Sequence, residues 1–391
     1  MILCTMKSAN SSLTFSEISL KNLPSPRWEG MKGRGDQTVS ILSTPTPTLP
    51  RRRGRGLFGK FQICLGRILL VLFFLLSVGV FPLHAAEKAL KKATFVPQWS
   101  PQAQFAGYYV AYEKGFYKRN GIDLTLLQGG PDHPASTLLV KREADFATLW
   151  LSTAMRMRAN GQDVINIAQM IQRSALMLVA KRSSNIKTPQ DMNGKKVSLW
   201  GEDFQIQPKA FFRRYNLEVK IVPQSFSVNL FLRDGVDVAS AMWYNEYHTI
   251  INSGLNPDEL TTFFFHEHGL NFPEDGIYTL EKTFKKDPSL ACAFVKSSIE
   301  GWLYAFSHPE EALDIVLKYI SQARIPANRV HQKWMLSRMK DLISPPDGSS
   351  IGILQPRDYE RVEHELKENI LVKRTPSYYS FFARCDNRVE K

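Results

Sequence analysis

The sequence predicts an α/β protein of two similar lobes joined by two crossing strands, with a ligand cleft between them. Three observations carry this. From residue 92 short apolar segments alternate with amphipathic helical ones. The same strand–helix–strand–helix–strand plan then recurs. Finally, two apolar segments, at 167–180 and 276–279, lie where the chain must pass from one copy to the other and back.

In the first copy, 94–96 reads as a strand. Pro101 stands where a first helical turn begins, and Phe105, Tyr108, Tyr109 and Tyr112 recur at helical spacing up to Gly115. A strand is expected at 122–126, a chain break at Gly129-Gly130-Pro131, a helix at 135–140 and a short strand at 144–147. In the second copy strands are expected at 195–199, 218–222 and 236–239, with helices at 208–215 and 227–232. Trp150 follows Asp145 by five residues and Trp243 follows Asp237 by six. Such residues fall at the carboxyl ends of strands, where open α/β sheets bind ligands. After residue 279 only helices are expected. Asp287-Pro288 and Pro309-Glu310-Glu311 mark two starts, and Tyr359, Val362, Leu366 and Ile370 form a late apolar stripe. These helices read as cladding for the first lobe. The expected division is lobe one at 92–175 and 275–372, lobe two at 176–274, and a C-terminal tail at 373–391.

Length and charge narrow the class. At about 150 residues per domain, 391 residues suggest two or three domains. Apolar residues make up 43% and charged residues 22%, as in a folded globular protein. The net charge of +13 is unevenly placed: residues 1–86 hold 11 Lys/Arg and 3 Asp/Glu, the rest 39 and 34. Stretch 1–60 is low-complexity, rich in Ser, Thr, Pro and Arg, and reads as outside the fold. Residues 61–86 read as a signal peptide: Lys60 and Arg67 precede an apolar run from Ile68 to Phe81, and Ala85-Ala86 offer the cut. Export to the periplasm is expected; an uncleaved anchor is the other reading. In the body, Lys and Arg interleave with acids, which argues against a nucleic-acid surface.

Familiar catalytic patterns are missing. Gly129-Gly130 leads to proline rather than to a phosphate-cradling helix, and neither a Gly-x-Ser-x-Gly nor a His-Glu-x-x-His occurs. His266-Glu267-His268 reads as a solvated loop lacking a third metal ligand, so no metal is expected. Four cysteines make no disulfide scaffold; Cys292 reads as a buried thiol in an apolar helix and Cys385 lies near a loose C-terminus, with a disulfide between the two in an exported body as the alternative. Aromatic residues beside polar ones at strand ends stand out instead: Trp99 with Gln102 and Gln104, Trp150 with Ser152, Trp200 with Glu202, and Trp243-Tyr244-Asn245-Glu246. A flat heteroaromatic ligand needs ring faces to stack on and a few fixed polar partners. A carboxylate such as Glu246 suits an aminopyrimidine edge, because it accepts hydrogen bonds from adjacent donors.

Trp99-Ser100-Pro101-Gln102, the run from Gly107 to Tyr117, Gly121-Ile122-Asp123-Leu124, Met192-Asn193-Gly194-Lys195-Lys196-Val197 and Trp243-Tyr244-Asn245-Glu246 together resemble thiamine-pyrimidine precursor binding proteins. These belong with the sulfonate, taurine and nitrate binders of ABC importers. The resemblance implies a periplasmic-binding-protein type II fold and capture of a hydroxymethylpyrimidine or formylaminopyrimidine for a permease and its ATPase, by a monomer. It makes Tyr244 or Trp150 the stacking ring, Glu246 the acceptor for the amino group, and Asn245, Gln104, Tyr108 and Trp99 the wall. Gln172, Ser174 and Glu202 lie near the crossings. The fungal thiamine-pyrimidine synthase of this superfamily uses a lysine for pyridoxal phosphate and a histidine donor. Leu149 and Thr153 stand at those positions, and Leu270-Asn271-Phe272-Pro273 replaces its cysteine-rich run. Without the amine no Schiff base forms, so the resemblance implies a binder without cofactor rather than an enzyme. A sulfonate, taurine or nitrate binder, which would need a cleft cation such as Arg173, and a sensor signalling in trans are the other readings.

Overall fold

The computed structural model describes residues 89–344, 351–369 and 371–385. The low-complexity stretch and the signal peptide lie outside them. Ten strands form two five-stranded sheets of the same design. In the first, β1 (Lys91–Val96) pairs in parallel with β2 (Ile122–Leu126) and β3 (Phe146–Trp150). Beyond β3 comes β10 (Asp275–Leu280), antiparallel, then β4 (Val164–Gln169). The second sheet runs β7 (Lys220–Pro223), β6 (Lys196–Leu199), β8 (Val238–Met242), β5 (Leu176–Lys181), β9 (Leu260–Phe264), with β5 the antiparallel member. Each lobe thus takes one inner strand from chain that has just arrived from the other lobe. The strands β3, β4, β8 and β10 are buried at every residue, because helices cover both faces. The edge strand β2 alternates instead.

The helices of the first lobe begin with α1 (Ala106–Glu113), α2 (Phe116–Arg119), α3 (Ala135–Val140) and α4 (Leu151–Ala159). In the second lobe α5 (Ile206–Arg214), α6 (Asn229–Leu232) and α7 (Glu246–Asn252) follow. After β10 come α8 (Glu281–Lys286), α9 (Pro288–Ser307), α10 (Pro309–Gln322), α11 (Arg329–Ile343), α12 (Pro356–Glu368) and α13 (Tyr378–Phe381). Asp287 caps α9 through the Leu290 amide, with Pro288 in the first turn.

Three expectations need correction. The short strands begin two residues later than expected and run on to Trp150 and Met242, so Trp150 is itself the last residue of its strand. Cys292 and Cys385 form a disulfide. Together with the Ala383 amide bonded to the Asn166 carbonyl (2.9 Å) and the Tyr359 hydroxyl donating to the Pro376 carbonyl (2.5 Å), it ties residues 371–385 to the first lobe. And α11 is not simple first-lobe cladding. Its Gln332 accepts the Ala103 amide (2.7 Å), while its Trp334 donates to the Trp243 carbonyl of lobe two (3.1 Å).

The first-lobe core is closed by α1 against α9. A Cβ on Gly301 would lie 2.1 Å from the Gly107 carbonyl oxygen, and one on Gly107 would lie 2.3 Å from the Trp302 ring. The two helices therefore touch backbone to backbone. Gly301→Ala is expected to destabilise the protein by about 3 kcal/mol, the upper end for overpacking, because backbone cannot yield as a side chain can. Urea unfolding checks this, and an unchanged midpoint would contradict the contact.

Candidate functional site

The carboxyl ends of β1, β2 and β3 converge on one edge of lobe one. Loop 97–104 follows β1 there. The chain after β2 presses against it so closely that a Cβ on Gly129 would stand 1.8 Å from the Pro97 carbonyl oxygen, which explains the Gly-Gly-Pro break. The matching edge of lobe two carries Trp200, the 3-10 helix Glu202–Gln205, loop 224–228 and Trp243-Tyr244-Asn245. The two edges face one another. Trp99 meets Phe226, 76% exposed, at 5.6 Å between ring centroids, and Trp150 meets Phe204 edge-on at 4.5 Å. Thr153 on α4 donates to Asp203 (2.6 Å), which also pairs with Arg156. The Trp99 and Trp150 rings thus form lips rather than a sandwich around one point.

The floor is the double crossing. The Ile171 amide donates to the Asp275 carbonyl (3.0 Å), and Asn271 joins both segments through the Ser174 amide (2.9 Å) and the Gln172 carbonyl (3.1 Å). Two adjacent acids sit there. Glu274 is 1% exposed and accepts from the Ala175 amide (2.6 Å), the Leu176 amide (3.2 Å) and the Ser174 hydroxyl (3.2 Å) through one oxygen; the other has no partner. Asp275 is 2% exposed and accepts from Gln98 and from Gln104 (2.8 Å). Burial raises both carboxyls, Glu274 to about 8, with its neighbour's charge adding to the shift, and Asp275 to about 7.

The candidate residues divide around this floor. Gln104 reaches it directly. Tyr108 is held in the first-lobe core between Phe95 and Trp302, leaving its hydroxyl rather than a ring face toward Asp275. Gln172 donates to the Gln169 carbonyl (2.5 Å), and Ser174 bonds Glu274 and Gln207. Glu202 opens its 3-10 helix, and its side chain lies outside the described residues. Tyr244 is buried within electrostatic reach of Glu274, Asp275 and Glu246, which together hold its hydroxyl far above the ordinary range after burial has raised it. Asn245 donates to Glu246 (2.8 Å) and accepts from His331 of α11 (2.9 Å). Glu246 also accepts the Met242 amide (3.0 Å), and burial raises its carboxyl to about 7.

Trp243 turns away from Tyr244, onto Arg338 (4.7 Å) and Arg173 (5.7 Å). Arg173 further reaches the Asp341 carbonyl (3.3 Å) and so points at α11, not at the acidic floor. The triplet at 266–268 is part of a 3-10 helix rather than a loop; His266 meets the Ser174 carbonyl (3.1 Å) and His268 the Tyr215 hydroxyl (2.6 Å). A cavity of about 520 Å³ opens beside Lys91, Lys118 and Ile122, at the amino ends of β1 and β2, away from the cleft. Glu274, Asp275, Gln98 and Phe204 escaped the reading of the sequence, while Asp203 was read only as part of the Trp200–Asp203 run. The available signal was two consecutive acids leading straight into an apolar strand, a place where acids are rare unless they have a role.

Two outcomes follow. Folded Glu246, Glu274 and Asp275 hold protons more tightly than the unfolded chain, so their contribution is full below pH ~4 and is lost as pH rises through 7–8. Buried His331, lowered to about 4, acts oppositely, losing stability as pH falls from ~6.5 toward 4. His248, His266 and His268, also lowered by burial, act with it, but the histidines act only below ~6.5 while the three acids lose their contribution over the whole span from pH ~5.5 to ~8. Calorimetry of the ligand-free protein should give a higher Tm at pH 5.5 than at pH 8, with Glu274→Gln flattening the slope; a Tm that climbs toward pH 8 would refute it. Second, Asp203→Ala removes a contact across the cleft. It should expand the molecule in small-angle scattering and weaken ligand binding by about tenfold, equivalent to ~1.4 kcal/mol; an unchanged scattering profile and affinity would show that the contact does not hold the lobes together.

Comparison with known proteins agrees with this architecture. The riboflavin-binding protein RibY of Chloroflexus aurantiacus is 25% identical over 258 residues, spanning 62% of this chain and 71% of its own. A 4-amino-5-hydroxymethyl-2-methylpyrimidine phosphate synthase of Legionella pneumophila is 24% identical over 258 residues, 62% of this chain and 78% of its own. Among solved structures, the periplasmic aliphatic sulphonate binding protein SsuA of Escherichia coli superposes with a TM-score of 0.59 at 14% identity, covering 75% of this chain and 97% of that one. That likeness establishes the periplasmic-binding-protein fold. Residues 102–312, more than half of the chain, match the NMT1/THI5-like family, and the chain belongs to that family.

Proposed function

We propose that this chain is the exported solute-binding component of an ABC importer and that it captures a thiamine-precursor pyrimidine between its lobes. The observation that carries the reading is the placement of Tyr244, Asn245 and Glu246. The ring lies at the meeting of both lobes, beside a carboxyl withdrawn from water with no Lys or Arg among its electrostatic partners. A planar base whose amino group donates to Glu246 while its face covers Tyr244 would satisfy both. Binding alone is proposed, with no bond made or broken. At the positions where the synthases of the family hold lysine and histidine, Leu149 is buried in β3 and Thr153 is engaged by Asp203. Closure would follow binding, since contacts from both lobes exist together only when the cleft is shut.

Export is supported by the basic–apolar–small pattern of the leader and by the disulfide, which persists in oxidising compartments. Among the described residues no helix is long and apolar enough to cross a membrane. A permease and its ATPase are the proposed partners. A second reading, a flavin as cargo, is favoured by the named relative RibY, because an isoalloxazine is also planar and nitrogen-rich. The anion reading loses its candidate cation, since Arg173 faces α11.

Calorimetric titration with 4-amino-5-hydroxymethyl-2-methylpyrimidine, riboflavin, taurine and nitrate separates these. The pyrimidine should bind, and Glu246→Gln should weaken it by ~1.5–3 kcal/mol, the range for a hydrogen bond to a charged group. Binding of taurine or riboflavin with none of the pyrimidine would overturn the cargo. An unchanged affinity in the variant would remove Glu246 from the site.

A further inference from the structure

The cleft floor poses a charge problem that the Glu246 reading does not solve. Asp275 lies on the lobe-one side of the floor, beside the end of β3, where it is in register with Trp150. Its partners are neutral amides. Gln98, itself fixed by its amide bond to the Thr148 hydroxyl (2.8 Å), donates to one oxygen. Gln104 donates to the other at 2.8 Å and receives the Gln102 amide at 2.5 Å. Among the electrostatic partners of Asp275, Glu274 and Glu246 there is no Lys or Arg. Of the nearby cations, Arg156 pairs with Asp203, while Arg173 lies on Trp243 and reaches the Asp341 carbonyl of α11, its buried Nε without an acceptor.

One further buried group at this place is unpartnered: one oxygen of Glu274, on a residue 1% exposed, has no donor. The buried hydroxyl of Tyr108 lies within electrostatic reach of Asp275, beside the Trp302 indole. Buried polar groups are ordinarily satisfied, and buried carboxylates ordinarily meet a cation. Tyr244 of lobe two lies within electrostatic reach of Glu274, Asp275 and Glu246, so the three acids are gathered around one hydroxyl where the lobes meet.

We propose that Asp275 is the charge-selecting residue of the cleft: it accepts an N–H from the ligand edge opposite to the one held by Glu246, so that the site takes a protonatable, donor-edged ring and excludes anions. The ligand then supplies the positive charge that the protein withholds. It also bridges an acid of each lobe, which makes closure depend on ligand charge as well as shape. Gln98 and Gln104 are positioning residues, holding the Asp275 carboxylate so that its remaining lone pairs face the cleft. This rests on the cleft being the binding site, as proposed above, but not on the ligand being a pyrimidine.

The test is calorimetric titration of the exported protein at pH 7.5 with four probes: the 4-aminopyrimidine named above, its 4-oxo counterpart, benzamidine and taurine. The aminopyrimidine and benzamidine should bind, and the 4-oxo ring should bind at least tenfold more weakly, because an acceptor replaces the donor. Asp275→Asn should weaken both amino ligands by ten- to a hundredfold and narrow the gap to the 4-oxo ring, while Asp275→Glu restores part of the preference. The comparison of probes on the unaltered protein stands even where a variant folds poorly. Equal affinity for the amino and oxo rings, tight binding of taurine, binding of no amino probe, or an Asp275→Asn variant that binds as the parent does would each overturn the assignment. If benzamidine binds and needs Asp275 while the pyrimidines do not bind, the pyrimidine cargo falls and the charge selection stands. If the aminopyrimidine binds, loses affinity in Glu246→Gln and ignores Asp275→Asn, the reverse holds.

Discussion

Two adjacent carboxyls removed from water, with no cation beside them, constrain the rest of this molecule. Withdrawing one ionised carboxyl costs several kcal/mol even after relaxation, and withdrawing two together costs more. The fold accepts this at the single place where both crossings meet. There it offers backbone amides, Ser174 and two glutamines instead of charge. Neutral donors stabilise the acids enough to keep them in place and leave them partly protonated near neutral pH.

The same location explains why the acids matter to motion. The chain arrives at β10 and at β5 from the opposite lobe, so each sheet contains a strand whose start is part of the crossing. Glu274 holds the amides that begin β5, and Asp275 begins β10. Rotation of one lobe on the other must pass through both crossing segments, and these two residues tie one segment to the other.

Much of the fold was legible from periodicity. Both sheets have the same strand order, and their apolar runs, glycine ends and proline starts repeat along the chain. The aromatic and polar residues after β1, β3, β6 and β8 were legible as strand-end residues for the same reason. Other features were not. Gly276 drew attention as the start of the return crossing, so the acids one and two residues earlier were passed over. Cys292 and Cys385 are 93 residues apart, and no local pattern connects them. No pattern in the sequence of α11 shows that this helix packs against both lobes. Likewise Glu246 could be recognised as an acid beside an aromatic, while its bond to the Met242 amide could not.

That last bond opens onto α11, and the proton inventory there is restrictive. His331 donates through Nε2 to the Asn245 side-chain oxygen, so in its neutral form its Nδ1 must accept. The Nδ1 of His248 stands 2.8 Å away and must therefore carry a proton. Asn252 places its side-chain amide nitrogen 3.0 Å from that same His248 nitrogen. With the Asn245 oxygen occupied, its amide nitrogen is left to donate to Glu246, as it does. One tautomer choice on α11 thus fixes the orientation of the carboxyl at the cleft. Burial keeps His331 neutral well below its ordinary range, with the His248 ring adding to the effect, so this arrangement survives mild acid. Since α11 also holds the Ala103 amide of lobe one, the geometry of the acid and the approach of the lobes are set by the same helix.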